Sequence, residues 1–393
     1  MGRDEGSIMP SAVIVDAVRT PVGRRNGRLS GWHAVDLAAQ PLRALAERND
    51  LDPALIEDVI TGCTMTVGEQ AMNIGRNAVL AAGFPDTVPG TTVDRQCGSA
   101  QQAVHFAAQA VMSGAMDIVI GAGIESMSRV PIGSTTEPGP GEAYGPTVLR
   151  RYDFIHQGMS AEEIARRWNV SRDEMDAFAL ESHRRAAAAH DGGHFADEIV
   201  PLRSPGPDGD DELGFDEGVR RNSTLERLGA LTPAFAADGT ITAGTSSQIS
   251  DGAAAVLVMS EERAKSLGLR PRARFHTFAV AANDPVIMLT AVIPATILAL
   301  EKAKMTIDDI DVIEINEAFA SVVLAWEREL HPDMAKVNPN GGAIAIGHPT
   351  GCSGARIMAT LVNELERTGG RYGLQTMCEG GGQANATIIE RLD

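Results

Sequence analysis

Three glycine-dense stretches of this 393-residue chain each hold one reactive side chain. In the first, "DRQCGSA" (94–100), Cys97 sits between a β-branched run and an alanine-rich stretch with helical periodicity. A helix opening just after Cys97 would aim backbone N–H groups and a positive dipole at the sulfur and lower its pKa. Read alone, an unpaired cysteine at such a junction is more often a small core filler. The second stretch, "NPNGGAIAIGHPTGCSGAR" (338–356), sets His348 between Gly347 and Pro349. An imidazole on so rigid a turn suits proton transfer; a helix-entry cap is the bland alternative, and it leaves the glycine density unexplained. The third, "MCEGGGQANATI" (377–388), follows the thiol of Cys378 with three glycines, whose free N–H groups could receive an oxyanion. It could equally be a tight turn or a phosphate cradle, but no Lys-Ser/Thr follows, so a P-loop is excluded. A fourth element, "NEAFA" (316–320), ends a strand in Asn-Glu. Strand C-termini commonly point into α/β active sites, yet an asparagine helix cap reads the same locally.

The elements that must position these groups follow an α/β pattern. "AVIVDAV" (12–18), "DVITGCT" (58–64) and "DIVIGAG" (117–123) read as buried strands, and 34–49 and 98–114 as helices, the second closed by Gly114. The pattern returns near the C-terminus, with a strand running into a helix over 310–330, a helix over 352–370 and a strand over 372–382. From Asp58 to Cys97 is 39 residues, and the same step from Asp311 reaches Thr350, beside the opening of the later helix. An internal duplication is the economical reading. The predicted units are 9–125 with 251–272, then 273–393, with 126–250 inserted between them. That insertion holds Gly/Pro/acid-rich loops at 133–146 and 204–214 and two helices within 160–193, each opened by a capping box, Ser160-x-x-Glu163 and Ser171-x-x-Glu174.

Bulk composition narrows the function. With 52 acids against 34 bases, a formal charge of −18 leaves no basic field for nucleic acid. Cysteines 63, 97, 352 and 378 show no Cys-x-x-Cys pair, so a disulfide framework or structural zinc is not expected and a reducing, cytoplasmic setting fits. His183, His190 and His194 lack the carboxylate spacing of a metal site. Residues 1–8 read as an extension without a targeting signal, and no apolar run is long enough for a membrane span.

"DRQCGSAQQA", "NEAFA", "GGAIAIGHPTGCSGAR" and "CEGGGQ", in that order and at those separations, resemble the thiolase family. The likeness spans essentially the whole chain, and "AGTSSQISDGAAAVLVMS" (243–260) is similar to thiolases of actinobacterial fatty-acid and steroid breakdown. The resemblance implies an αβαβα thiolase fold of two five-stranded halves plus a loop domain covering coenzyme A. It implies Cys97 as acyl-accepting nucleophile, His348 as its base and Cys378 as the acid/base at the α-carbon. Asn316 would position a water in one oxyanion site, and the N–H groups of Cys97 and Gly380 would form the other. Ser247, His156 and Arg220 would contact CoA, and Met288 and Phe319 the substrate. It further implies CoA as substrate with no resident cofactor or metal, and a homodimer or homotetramer. Ala100 departs from a common glycine, Gln157 from a methionine, and "IMLTAVIP" (287–294) from a glycine-rich acyl-pocket segment, so acyl length does not carry over. The rival expectations are a cysteine hydrolase using Cys97 and His348, which needs no second thiol, and a non-catalytic acyl-CoA or lipid carrier on the same scaffold.

Overall fold

The computed structural model describes residues 10–137, 139, 141–203 and 212–393. The expected extension at 1–8 lies outside the described residues, as do 204–211 of one loop and 138 and 140 of the other.

Two pseudo-equivalent half-sheets carry the fold. In the first, strand order is Thr91–Val93, Asp58–Gly62, Ile118–Ser126, Ser250–Ser260, Ala12–Arg19, with two parallel junctions followed by two antiparallel ones. The second runs Val312–Ile315, Tyr372–Glu379, Gln383–Arg391, Ala273–Ala282, parallel and then twice antiparallel. Its fifth position is reduced to one parallel bridge between Ile313 and Val337. The halves join edge to edge through only two residue pairs, Val13–Arg274 and Ile14–Ala273. The expected duplication is thus visible in the order and sense of the strands.

The layers follow from period-2 burial. Along Ser250–Ser260, Ala253, Ala255, Leu257 and Met259 face a core shared with the helices Ala34–Arg48 and Ile74–Ala81. Ala254, Val256 and Val258 face the other way, into a core with the helices Ser99–Met112 and Ser353–Thr368. Those two helices pack on each other, and their core also takes Phe275, Val312 and Ile389 of the second half-sheet. The opposite face of that half-sheet is covered by Val292–Ala303 and Ala320–Leu330. Helix, sheet, helix, sheet, helix is the result. Strands buried on both faces read as continuous apolar text, which is why they were visible in the sequence.

The inserted segment is tied down by buried charge. Arg19, at the end of the first strand, donates to Glu198 Oε1 at 2.6 Å and to both Asp216 oxygens at 2.7 and 3.0 Å, all three side chains fully buried. The insertion's helices are Gln157–Arg167 and Arg172–Asp191. Ser171 and Glu174 form the expected capping box. Ser160 does not: the first helix begins at Gln157, capped by His156 Nδ1, which accepts from the Gly158 N–H. Ser160 lies inside it and donates instead to the Val286 carbonyl at 3.1 Å, while Glu163 pairs with Arg166 and Arg167. A tertiary contact claimed the hydroxyl that local spacing assigned to a cap.

Candidate active site

Cys97 ends the turn that leads into Ser99–Met112, with Gly98 at the N-cap. The residue before it, Gln96, has a left-handed φ of 49°, and its side chain lies beside Gly380. A Cβ on residue 98 would overlap the Glu379 carboxyl. Only glycine lets the nucleophile turn seat this closely on the strand end that carries Cys378. The two sulfurs interact electrostatically across this contact.

His348 is buried on the turn entering Ser353–Thr368. Its N–H donates to the Gln248 carbonyl at 3.1 Å and to Ser250 Oγ at 3.2 Å. Gly347, at φ 119°, packs against that same serine. On the ring, Nδ1 lies 2.6 Å from Ser353 Oγ, which itself donates to the Pro349 carbonyl at 2.9 Å. The serine oxygen therefore accepts from Nδ1–H, and Nε2 is assigned the lone pair. Asn316 Nδ2 sits 3.5 Å from that Nε2 and its side chain also bonds to Cys378. Asn316 is no helix cap, since the helix after it begins at Ala320 with Phe319 in the capping position.

Electrostatics set the resting protonation. Burial, with the Arg356 charge second, drops the His348 pKa to about 3, so the imidazole rests neutral with its Nε2 lone pair free, and the same burial makes its protonated form costly. Burial raises the Cys97 thiol well above its ordinary value, and Cys378, Glu379 and Glu125 push the same way against its own backbone N–H. The expected lowering survives only as the pull of the backbone N–H, which burial outweighs, so Cys97 rests as a thiol next to a neutral base. Burial likewise pushes Cys378 up to about 12.

A cavity of about 980 Å³ is lined by Cys97, His348, Ser247, His156, Arg220 and Phe319, among others. Phe235 forms an aromatic wall with His156 and Phe319, at ring-centroid distances of 5.3 and 5.9 Å. Ser247 is fixed by its N–H donating to the Ala318 carbonyl at 2.9 Å. Cys378 and Asn316 are fully buried behind the cavity floor, and Gly380 lies against Gln96. Met288 is not on the lining; it packs, half-buried, against the cluster that contains Phe319 and Cys378.

Sequence reasoning missed several groups that build this site. Arg24 and Arg25 join Arg220 in lining the cavity. Glu125 accepts from the N–H groups of Thr64, Met65 and Gly351, from Gln70 and from Thr350 Oγ1, tying the histidine turn to the first half-sheet. Glu317 accepts from Ser182 Oγ, Asn338 Nδ2 and the Ile344 N–H, fixing the same glycine-rich segment from the other side. The one signal was an acid at the end of an apolar run, as in "IVIGAGIES". Among the described residues no cluster of three or more His, Cys, Asp or Glu could hold a metal. His190 pairs with Asp216, and His194 with Asn340.

Comparison with known proteins agrees along the full length. Residues 12–262 match the thiolase N-terminal domain family and residues 269–391 the thiolase C-terminal domain family. The chain is 53% identical to the steroid 3-ketoacyl-CoA thiolase FadA6 of Mycobacterium tuberculosis, over 100% of this chain and 97% of that protein. It is 47% identical to a 3-ketoacyl-CoA thiolase of Cronobacter sakazakii, over 98% and 100%. The crystal structure of the Bacillus anthracis acetyl-CoA acetyltransferase superposes with a TM-score of 0.91 at 39% identity, covering 98% of this chain and all of that one. With the fold, the motifs and the whole length in agreement, this chain belongs to the thiolase family.

Proposed function

We propose that the protein is an acyltransferase that cleaves 3-ketoacyl-CoA with coenzyme A, reversibly, to acyl-CoA and acetyl-CoA. His348 Nε2 takes the Cys97 proton and the thiolate attacks the 3-keto carbon. The C2–C3 bond then breaks. Its electron pair leaves as the acetyl-CoA enolate, which Cys378 protonates, and the acyl group stays on Cys97 as a thioester. CoA enters next, its thiol gives its proton to the Cys378 thiolate and attacks that thioester, acyl-CoA departs, and the released Cys97 thiolate takes its proton back from His348. The N–H groups of Cys97 and Gly380 receive the acyl-enzyme oxyanion, while His348 and an Asn316-held water receive the enolate oxygen. Each such site is worth roughly 3–4 kcal/mol of transition-state stabilisation.

The observation that carries this reading is the joining of a neutral imidazole and a thiol at one cavity floor to an asparagine and a second thiol buried just behind it. A hydrolase has no use for the second thiol, and a carrier has none for the set. Ser247, His156 and Phe319 would bind the pantetheine arm and acyl group. Arg24, Arg25 and Arg220 would meet the phosphates. Met288, behind Phe319, would shape the acyl end. CoA enters as a substrate, with no resident cofactor. Similarity to a steroid thiolase on one side and to 3-ketoacyl-CoA thiolases on the other supports fatty or steroid 3-ketoacyl-CoAs as substrates, in breakdown. The proposed setting is the cytoplasm, and the proposed assembly a homodimer or homotetramer.

The test mixes CoA with a panel of 3-ketoacyl-CoA chains and a steroid 3-ketoacyl-CoA. Loss of enolate absorbance and a mass shift of one acyl group on Cys97 are expected, and both should vanish in Cys97→Ser. Turnover by Cys97→Ser, or acyl found on another residue, would overturn the assignment.

A further inference from the structure

One ionisable group at the site has no part in the chemistry above. Glu379 follows Cys378 directly, is fully buried, and neither carboxyl oxygen has a hydrogen-bond partner. Its carboxyl fills the space a Cβ on Gly98 would take, and Asn385 Oδ1 lies 2.8 Å from that same point. Asn385 Oδ1 is itself buried and unpartnered. The orientation of Asn385 is fixed from its other end, where Nδ2 lies 3.1 Å from Gln102 Oε1 and 3.2 Å from His105 Nδ1. Two buried groups whose acceptor oxygens have no donor therefore face one small space. A carboxylate there would leave both unsatisfied, at a cost of several kcal/mol. A single proton on one carboxyl oxygen removes the buried charge and gives Asn385 Oδ1 a donor.

We propose that Glu379 is a positioning residue held as the neutral carboxylic acid, sharing its proton with Asn385 Oδ1, and that losing this proton to solvent disables the adjacent sulfur pair. This rests on the roles given above to Cys97 and Cys378. The charged and titratable groups facing Glu379 are few. From the nucleophile turn come Cys97 and Arg95, whose Nη1 donates to Gln383 at 2.8 Å, whose buried Nε has no partner among the described residues, and whose charge acts on Glu379 without a hydrogen bond to it. From its own strand comes Cys378, and from Ser99–Met112, through Asn385, comes His105, held neutral by burial. Burial raises Glu379 to about 8 against the pull of Arg95. Ionised, it raises both sulfurs. Above pH 8, then, both the nucleophile and the acid/base become harder to deprotonate, and the Asn385 contact that seats the turn is lost.

The experiment compares wild type with Glu379→Gln, which keeps a donor for Asn385 and cannot ionise. Thiolysis kcat/KM and the iodoacetamide alkylation rate of Cys97 are followed from pH 6 to 10. The variant-to-wild-type ratio should rise about tenfold between pH 7 and pH 9, equivalent to about one unit of displacement of the thiol pKa. A ratio flat in pH, even if low, means a purely structural role and overturns the proposal. Glu379→Met repeats the test if the glutamine variant does not fold. If neither folds, wild type decides by infrared spectroscopy. A carboxylic-acid C=O band must bleach over the pH range in which the rate falls, and its absence overturns the proposal. If the roles of the sulfurs were wrong, Cys97→Ser or Cys378→Ser would retain turnover, an outcome independent of the Glu379 ratio.

Discussion

Asn316 shows how much one side chain can do here. Its amide touches both the base and the second thiol, while its Oδ1 is buried without a partner among the described residues. A water positioned by Asn316 would donate an O–H to that spare acceptor. Asn316→Ala removes the acceptor and the contact to His348 together. We expect kcat to fall by about 10²–10³, as on loss of one oxyanion-hole donor, with KM for CoA nearly unchanged. Steady-state kinetics at saturating CoA check it, and a change confined to KM would count against the role. Cys97, His348 and Cys378 were readable because each stands in glycine-dense text, and Asn316 because it closes an apolar strand. Their protonation was not. A helix start was visible after Cys97, but the burial and the Cys378 and Glu379 side chains that raise its thiol come from residues hundreds of positions away.

At the scale of elements, the site depends on loops gripped by buried carboxyls. Glu125, Glu317, Glu198 and Asp216 were invisible as partners because the groups they bind share no sequence neighbourhood with them. Elements of regular structure were legible for the converse reason: doubly buried strands and amphipathic helices write their environment into local periodicity. Where local spacing and tertiary contact compete, as at Ser160, the tertiary contact wins. Arg19 is the sharpest case of long-range grip, holding both Glu198 and Asp216 with no solvent access. Arg19→Met keeps the volume and strands two acidic side chains in the core. Removing one partner of such a buried set costs about 3–5 kcal/mol, so the midpoint of urea unfolding should drop markedly. A midpoint within error of wild type would mean that the inserted segment is held by its apolar contacts alone.

Over the whole molecule, the question is how a chain of net charge −18 admits a polyanionic substrate. Some of the acids are neutralised locally in pairs such as Glu181 with Arg184 and Arg185, or Glu366 with Arg270 and Arg272. The cavity instead gathers Arg24, Arg25 and Arg220, all exposed, around an apolar and aromatic interior. Arg24 is half-committed to Glu217 at 3.8 Å, whereas the Arg220 backbone N–H is anchored on His183 Nδ1 at 3.1 Å. A fixed backbone lets that guanidinium meet a phosphate at modest entropic cost. Because these cations are exposed, their attraction is screened within about 8 Å at physiological ionic strength. Arg220→Ala should therefore raise KM for CoA about three- to tenfold at low salt with kcat little changed, the scale of one exposed charge contact. The difference from wild type should shrink as salt rises. Measuring KM for CoA at two ionic strengths decides it: an equal loss at both would mean that Arg220 shapes the cavity mouth rather than supplying its charge.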